Sequence, residues 1–391
     1  MNAKSFNFDP EALGRKYQEE RDKRVRVDGN DQYQEVTGEF AYFVEDPYIN
    51  SELKREAIEE EVEVVIIGGG FGGMLAAARL REAGIDDFRI IEKGGDFGGT
   101  WYWNRYPGAA CDTESYVYLP LCDELGIVPT EKYAQGPEIF AHSQHIARHY
   151  DLYQNACLQT QVTHLQWDER SQQWHIMTDR GDAMHARFVI MSNGPLNRPK
   201  LPGIPNIEQF KGHTFHTSRW DYDYTGGTSD GKLEKLRNQR VGIIGTGATA
   251  VQCIPHLGEA AKALYVFQRT PSSIDVRANR PTDPDWEKTL TKGWQKARME
   301  NFNALTSGRI VEEDLVMDGW TEIIRNLISM ANYRGKDIDP ADIPRLMELA
   351  DFQKMEQIRA RVDALVKDPI TAESLKPYYR QFCKRPCFHD S

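Results

Sequence analysis

Val62-Glu63-Val64-Val65-Ile66-Ile67-Gly68-Gly69-Gly70-Phe71-Gly72-Gly73 is the stretch on which the fold turns. Its first half is a nearly continuous β-branched run, which predicts a strand buried on both faces, as in a parallel sheet. Gly68, Gly70 and Gly73 then follow at G-x-G-x-x-G spacing, with Gly72 in the same turn. Residues 74–83 carry a helical pattern closed by Gly84, and Phe88-Arg89-Ile90-Ile91 predicts a second strand ending at Glu92. Strand, glycine turn, helix, strand and acid form one βαβ unit of the dinucleotide-binding kind. Gly68 permits the tight turn, Gly70 admits a pyrophosphate to the backbone, and Gly73 lets helix and strand pack closely. The helix N-terminus faces the phosphates, and Glu92 falls where a carboxylate accepts both ribose hydroxyls.

A second unit repeats the first. Arg240-Val241-Gly242-Ile243-Ile244 reads as a strand and Gly245-Thr246-Gly247-Ala248-Thr249-Ala250 as a G-x-G-x-x-A turn. The helix continues through residues 251–257, where Pro255 limits its regularity, and Leu264-Tyr265-Val266-Phe267 is the next strand. Glu92 stands as far beyond Gly68 as Arg269 stands beyond Gly245. An acid there suits a free ribose 2′-hydroxyl, as in FAD or NAD; a guanidinium suits the 2′-phosphate of NADP. The comparison assigns FAD to the first unit and NADPH to the second.

Residues 96–112, DFGGTWYWNRYPGAACD, crowd glycines against aromatics directly after the ribose-binding acid. A core cluster is the plain reading of Trp101, Trp103 and Tyr106, but the position suits close approach to a large planar ring. Residues 158–166 and 173–178 predict a hairpin, and 187–191 a strand ending in the small-residue turn Ser192-Asn193-Gly194-Pro195. Residues 1–60 are polar, with short helices predicted over 10–25 and 50–61, and are expected to wrap over the first domain. The charge run 54–63 reads as a solvated helix face. Residues 283–375 turn helical, and Ile343, Leu346, Met347, Ala350, Met355, Ile358, Val362, Leu365 and Val366 mark an amphipathic helix. That segment is expected to wall off a substrate cavity.

Bulk properties narrow the partners. The 391 residues hold two or three domains, and 40% hydrophobic with 27% charged residues is ordinary for a soluble globular protein. A formal charge of -11 disfavours nucleic acid and anionic membranes. No apolar run approaches a bilayer span, and the N-terminus MNAKSFNFDP lacks an apolar signal core, so a cytoplasmic location is expected. Six scattered cysteines form neither a disulfide framework nor a metal site.

Between the two turns lies Phe210-Lys211-Gly212-His213-Thr214-Phe215-His216-Thr217-Ser218-Arg219-Trp220-Asp221, which fits F-x-G-x-x-x-H-T-x-x-W-[P/D]. This resembles the fingerprint of the Baeyer–Villiger monooxygenases, FAD- and NADPH-dependent flavoprotein monooxygenases. Gly98-Gly99-Thr100-Trp101-Tyr102-Trp103-Asn104-Arg105-Tyr106-Pro107-Gly108, with Asp112, is similar to the family's other signature. The likeness runs from about residue 60 to the end. It implies an α/β fold of two Rossmann-like dinucleotide-binding domains with a helical insertion in the second. The expected parts are an N-terminal extension (1–60), an incomplete FAD-binding domain (61–205), an NADP-binding domain (206–385, inserted at about 283–375) and the start of a return to the first (386–391).

Site residues follow from the resemblance. Glu92, Thr100, Trp101, Tyr102, Trp103, Asp112 and Tyr118 would contact FAD, and Ala110, Cys111 and Val162 are further expected cofactor-binding positions. Thr246, Gly247, Ala248, Thr249, Ala250, Val251, Gln252, Arg269 and Thr270 would hold NADPH. Lys384 and Arg385 match the family's Lys-Arg pair, whose arginine is catalytic, and Asp112 would hold that arginine. His216 and Trp220 would couple cofactor binding to domain movement. The implied reaction takes a ketone and O2 through a flavin peroxide to an ester or lactone. A fixed guanidinium at Arg385 suits its anionic species.

Ala110 stands where many members have arginine, and Asp221 replaces a commoner proline. The family also has a further C-terminal segment that completes the FAD domain, so a chain stopping early is expected to enclose flavin incompletely. Two rival readings remain: an N- or S-oxygenating flavin monooxygenase, which would not need Arg385, and a non-catalytic nucleotide-binding paralogue. A disulfide reductase is disfavoured, because no Cys-x-x-Cys follows the first unit.

Overall fold

The computed structural model describes residues 7–309, 311–332 and 340–390. Its largest sheet has six strands in the order Ala156–Cys157, Phe88–Ile91, Glu59–Ile67, Ala183–Met191, Gln173–Thr178, Val162–Asp168. The first four run parallel and the last two close antiparallel as the expected hairpin. Alternation along the central strand sends Val64 and Ile66 against helix Phe71–Glu82, where Met74, Ala77 and Ala78 are fully buried. Val62 and Val65 pack on the other face with Ile91, Ile176 and Met184. Burial on both faces follows from that run of valine and isoleucine.

The helix expected over 50–61 is absent, and the charge run 54–63 is no helix face. The central strand begins at Glu59, because Asp182 draws the preceding chain into the sheet: it takes Arg55 Nη1 and Nη2 at 2.5 and 2.7 Å and Ile58 N–H at 2.9 Å. Within that strand Glu61-Val62-Glu63-Val64 alternates along the pleat.

The second unit pairs Arg240–Ile244 in parallel with Ala263–Phe267 and covers one face with helix Ala248–Ala260. Pro255 lies inside that helix without ending it. Its core is shared: Ile243, Ala250, Cys253 and Leu257 pack with Tyr106 and Ala109 of the first unit and Trp220 of the connecting stretch. The other face leaves Ile244 56% and Phe267 59% exposed.

Helices Trp294–Thr306, Gly319–Asn332, Ile343–Leu365 and Pro369–Leu375 form the helical segment. In Ile343–Leu365 the predicted stripe is inward at Leu346, Ala350, Met355 and Ile358, whereas Ile343 and Leu365 are exposed and Val366 lies past the end. Helix Trp294–Thr306 grips the first unit through Gln295, which donates to Leu119 O at 2.6 Å, and through Arg298 against the fully buried Glu114. Helix Pro10–Asp22, capped by Asp9, packs on this segment through Tyr17 against Phe352, not on the first domain as expected. Among the described residues, the later part of the extension reaches the first unit, where Asp46 accepts from Tyr102 Oη at 2.6 Å. Residues Cys387–Phe388 pair in parallel with Ile274–Asp275 beside the second unit, where a return toward the first was anticipated.

Candidate functional site

The first glycine turn is set by close backbone approach. Gly68 sits at φ 110°, and a Cβ there would fall 2.4 Å from Ser192 O; a Cβ on Gly73 would fall 1.9 Å from Gly68 O. Gly72 passes Ser192, and Gly70 faces the backbone of Gly99. Gly70 caps helix Phe71–Glu82 without a side-chain acceptor, so the first-turn N–H groups remain open to an anion. Helices starting after Asp9, Asp221, Asp283 and Asp368 have their caps filled by those carboxylates. At the strand end Glu92 accepts from Gly69 N–H and Gly94 N–H, both at 2.6 Å. Burial pushes its pKa up against those two bonds. Its carboxylate oxygens keep further lone pairs for hydroxyl donors.

Residues Gly98 and Gly99, both at positive φ, let the Thr100–Trp103 turn fold against the glycine loop. Trp101 Nε1 donates to Tyr118 Oη at 2.9 Å, and Trp101, Tyr102, Trp103 and Tyr106 are all buried. Thr100 is exposed. Cys111 is buried 3.5 Å from Ser115 Oγ, its thiol pushed up to about 12 by burial, so it stays protonated. Val162 is half-buried against the core that contains Ile91 and Cys157.

At the second turn, a Cβ on Gly245 or Gly247 would meet nothing within 4 Å among the described residues. Gly247 caps helix Ala248–Ala260 without a side-chain bond, again leaving N–H groups open. Thr246 Oγ1 donates to Thr270 O at 2.9 Å, and Ala248 and Thr249 lie in the first helical turn. Ala250, Val251 and Gln252 instead turn inward and are buried. Gln252 donates to Ala110 O at 2.9 Å and accepts from Tyr106 Oη at 2.7 Å, so it ties the two units together. Its side-chain groups are thus engaged within the protein. Arg269 follows the strand end, and Lys384 Nζ donates to Thr270 O at 3.1 Å and Ser272 Oγ at 3.0 Å.

Where the units meet, the structure brings Asp112 and Arg385 together: Arg385 Nη2 donates to Asp112 Oδ2 at 3.0 Å. Asp112 Oδ1 receives Arg277 Nη2 and Gln252 Nε2, each at 3.3 Å, and Trp320 Nε1 donates to its main-chain oxygen at 2.9 Å. Burial raises the Asp112 pKa, opposed by Arg385 and then Arg277. The carboxylate is 2% exposed and Arg277 7%, whereas the Arg385 side chain is 58% exposed. One buried carboxylate therefore carries two guanidiniums, the outer of which faces open space. Arg277 was missed in the sequence because no motif or spacing marks it. The pairing of Ile274–Asp275 with Cys387–Phe388 brings both segments beside Asp112, and Phe388 O also accepts from Arg277 Nη2 at 2.9 Å.

The connecting stretch packs against both units. Trp220 is buried in the second unit's core, with its main-chain N–H on Tyr48 Oη at 3.1 Å. His216 Nδ1 accepts from Ser218 N–H at 3.2 Å, and burial, then Arg219, lowers its pKa to about 4. The Arg219 guanidinium lies 3.6 Å over the Trp103 ring.

Two glycine-capped βαβ turns meeting at a carboxylate–arginine cluster define a protein of two coupled dinucleotide-binding folds. The chain belongs to the pyridine nucleotide-disulphide oxidoreductase family, whose model matches residues 65–318. Among its relatives, the Baeyer–Villiger monooxygenase ATR8 of Stachybotrys chlorohalonatus is 54% identical over 99% of this chain and 62% of that protein. The polycyclic ketone monooxygenase of Thermothelomyces thermophila superposes with a TM-score of 0.88 at 40% identity, over 97% of this chain and 65% of that one. OTEMO in complex with FAD and NADP matches at TM-score 0.68 and 30% identity, over 84% and 62%. The resemblance read from the two signatures thus holds, as does the α/β fold class. The chain spans about three fifths to two thirds of the length of these relatives. Among the described residues no cysteine is in a disulfide, and no helix is long and apolar enough to cross a membrane.

Proposed function

We propose that the chain carries the machinery of an NADPH- and O2-dependent flavin monooxygenase that converts ketones to esters or lactones. The first turn would bind FAD: the open N–H groups after Gly70 suit its pyrophosphate and Glu92 its ribose. The second would bind NADP: the space before Gly245 and Gly247 is free of side chains, and Arg269, Thr270 and Lys384 suit a 2′-phosphate. FAD, once reduced by NADPH, supplies the means of activating O2.

The Asp112–Arg277–Arg385 cluster carries this reading. Arg277 balances the Asp112 charge from the buried side, so the cluster retains one net positive charge, and that charge resides at exposed Arg385. Asp112 fixes Arg385 through Nη2 and leaves the rest of the guanidinium to face the reacting atoms. Such a preorganised cation stabilises negative charge as it develops on the transferred oxygen and on the ketone oxygen. Tyr106, through Gln252, holds the opposite side of the carboxylate and keeps the tether rigid. Supplying the chain with FAD, NADPH, O2 and a panel of cyclic ketones should yield products one oxygen heavier, with Arg385→Ala yielding none. Ester formation that survives Arg385→Ala, or oxygenation confined to amines and sulfides, would overturn this reading.

A further inference from the structure

The N-terminal extension meets the second nucleotide turn at the residues expected to read a 2′-phosphate. Arg24 Nε donates to Arg269 O at 3.2 Å, and Gln32 Oε1 accepts from Arg269 Nη1. Both residues lie beyond the core that carries the two motifs, and both act on the same arginine. A cleft of about 260 Å³ opens here between Arg24, Thr270, Tyr379 and Lys384. Arg24 is half-buried in its wall, and among the described residues its Nη2 has no hydrogen-bond partner.

We propose that the extension completes the NADP site, with Arg24 as a third cation for the adenosine 2′-phosphate beside Arg269 and Lys384, and with Gln32 holding the Arg269 fork. This rests on the assignment of NADP to the second unit. Glu20 also lines the cleft, but its charge is taken up locally: Lys23 at 2.7 Å, Arg24 at 2.5 Å and Lys16 at 3.1 Å surround it. Those contacts hold its carboxyl down at about 2. Among the residues lining the cleft, Arg21, Arg24 and Lys384 are cationic against the one carboxylate of Glu20, which leaves the wall positive toward an anion. Lys384 feels the same crowding: burial above all depresses its pKa, Cys387 opposes this, and Arg269 and then Arg24 add smaller lowering effects. A doubly charged phosphate would relieve that repulsion.

The test is equilibrium titration of the full chain with NADP+, NAD+ and 2′,5′-ADP, followed by tryptophan fluorescence, for wild type, Arg24→Ala and Arg24→Lys. Arg24→Ala should weaken NADP+ and 2′,5′-ADP roughly tenfold, the size of one charge-assisted contact, with NAD+ unchanged as the control for an intact fold. Arg24→Lys should fall between. Equal NADP+ affinity in wild type and Arg24→Ala would overturn the role of Arg24 and leave the site assignment standing. A wild-type chain that binds NAD+ as well as NADP+, or neither, would overturn the assignment itself and this inference with it.

Discussion

Arg277 and Arg385 share one carboxylate, yet replacing each with methionine should have opposite consequences. Arg385→Met removes a side chain that is 58% exposed, and Asp112 keeps Arg277 and Gln252. The loss should be that of an exposed ion pair, about 1 kcal/mol or less. Arg277→Met removes a side chain only 7% exposed, which strips a donor from Asp112 and from Phe388 O. Half of a buried pair with two hydrogen bonds is worth roughly 3 kcal/mol. At about 2 °C per kcal/mol for a chain of this size, melting should shift by roughly 6 °C in Arg277→Met and by about 2 °C or less in Arg385→Met. Activity should rank the other way. Arg385→Met should lose about 10³-fold in ketone oxygenation, the scale of one preorganised charge donor, while still binding flavin. Thermal melts and product assays on the same preparations decide the matter. Equal melting shifts, or ester formation surviving in Arg385→Met, would refute the division of labour.

Other expectations are more local. Gly247→Ala meets no clash at φ -76°, so the variant should melt like wild type yet lose NADP+ binding in titration, because the methyl enters the phosphate's space. Gly73→Ala, by contrast, drives a Cβ into Gly68 O and should impair folding itself, seen as a lowered melting point. His216 is held at about 4 against 6.5 unfolded, so its contribution is fully present above pH 6.5 and is lost as pH falls toward 4. That loss amounts to roughly 3 kcal/mol at most. His216→Asn should flatten the decline of melting temperature between pH 6.5 and 4.5; superimposable curves would contradict this.

Much of this architecture was written in local pattern. The valine and isoleucine run, the two glycine turns and the hairpin were legible because period and backbone sterics are short-range properties. Glu92 and Arg269 were legible as strand-end residues for the same reason. Three things were not. The 54–63 charge run forms no helix but runs into the strand that begins at Glu59, because Asp182, more than a hundred residues on, captures Arg55 and Ile58. Gln252 sits within a nucleotide-binding motif, yet helical phase turns it toward Ala110 and Asp112. Arg277 and Arg24 gain their places only through tertiary pairing, one through a two-residue strand contact and the other through the extension's path across Arg269.

The central claim is that one chain assembles a flavin site and a nicotinamide site that communicate. Its most direct test is the visible absorption spectrum of the purified chain, supplemented with FAD and gel-filtered, before and after NADPH is added without oxygen. A retained flavin band that bleaches with NADPH is the expected result. A chain that emerges colourless, or a flavin band that NADPH leaves unchanged, would contradict it.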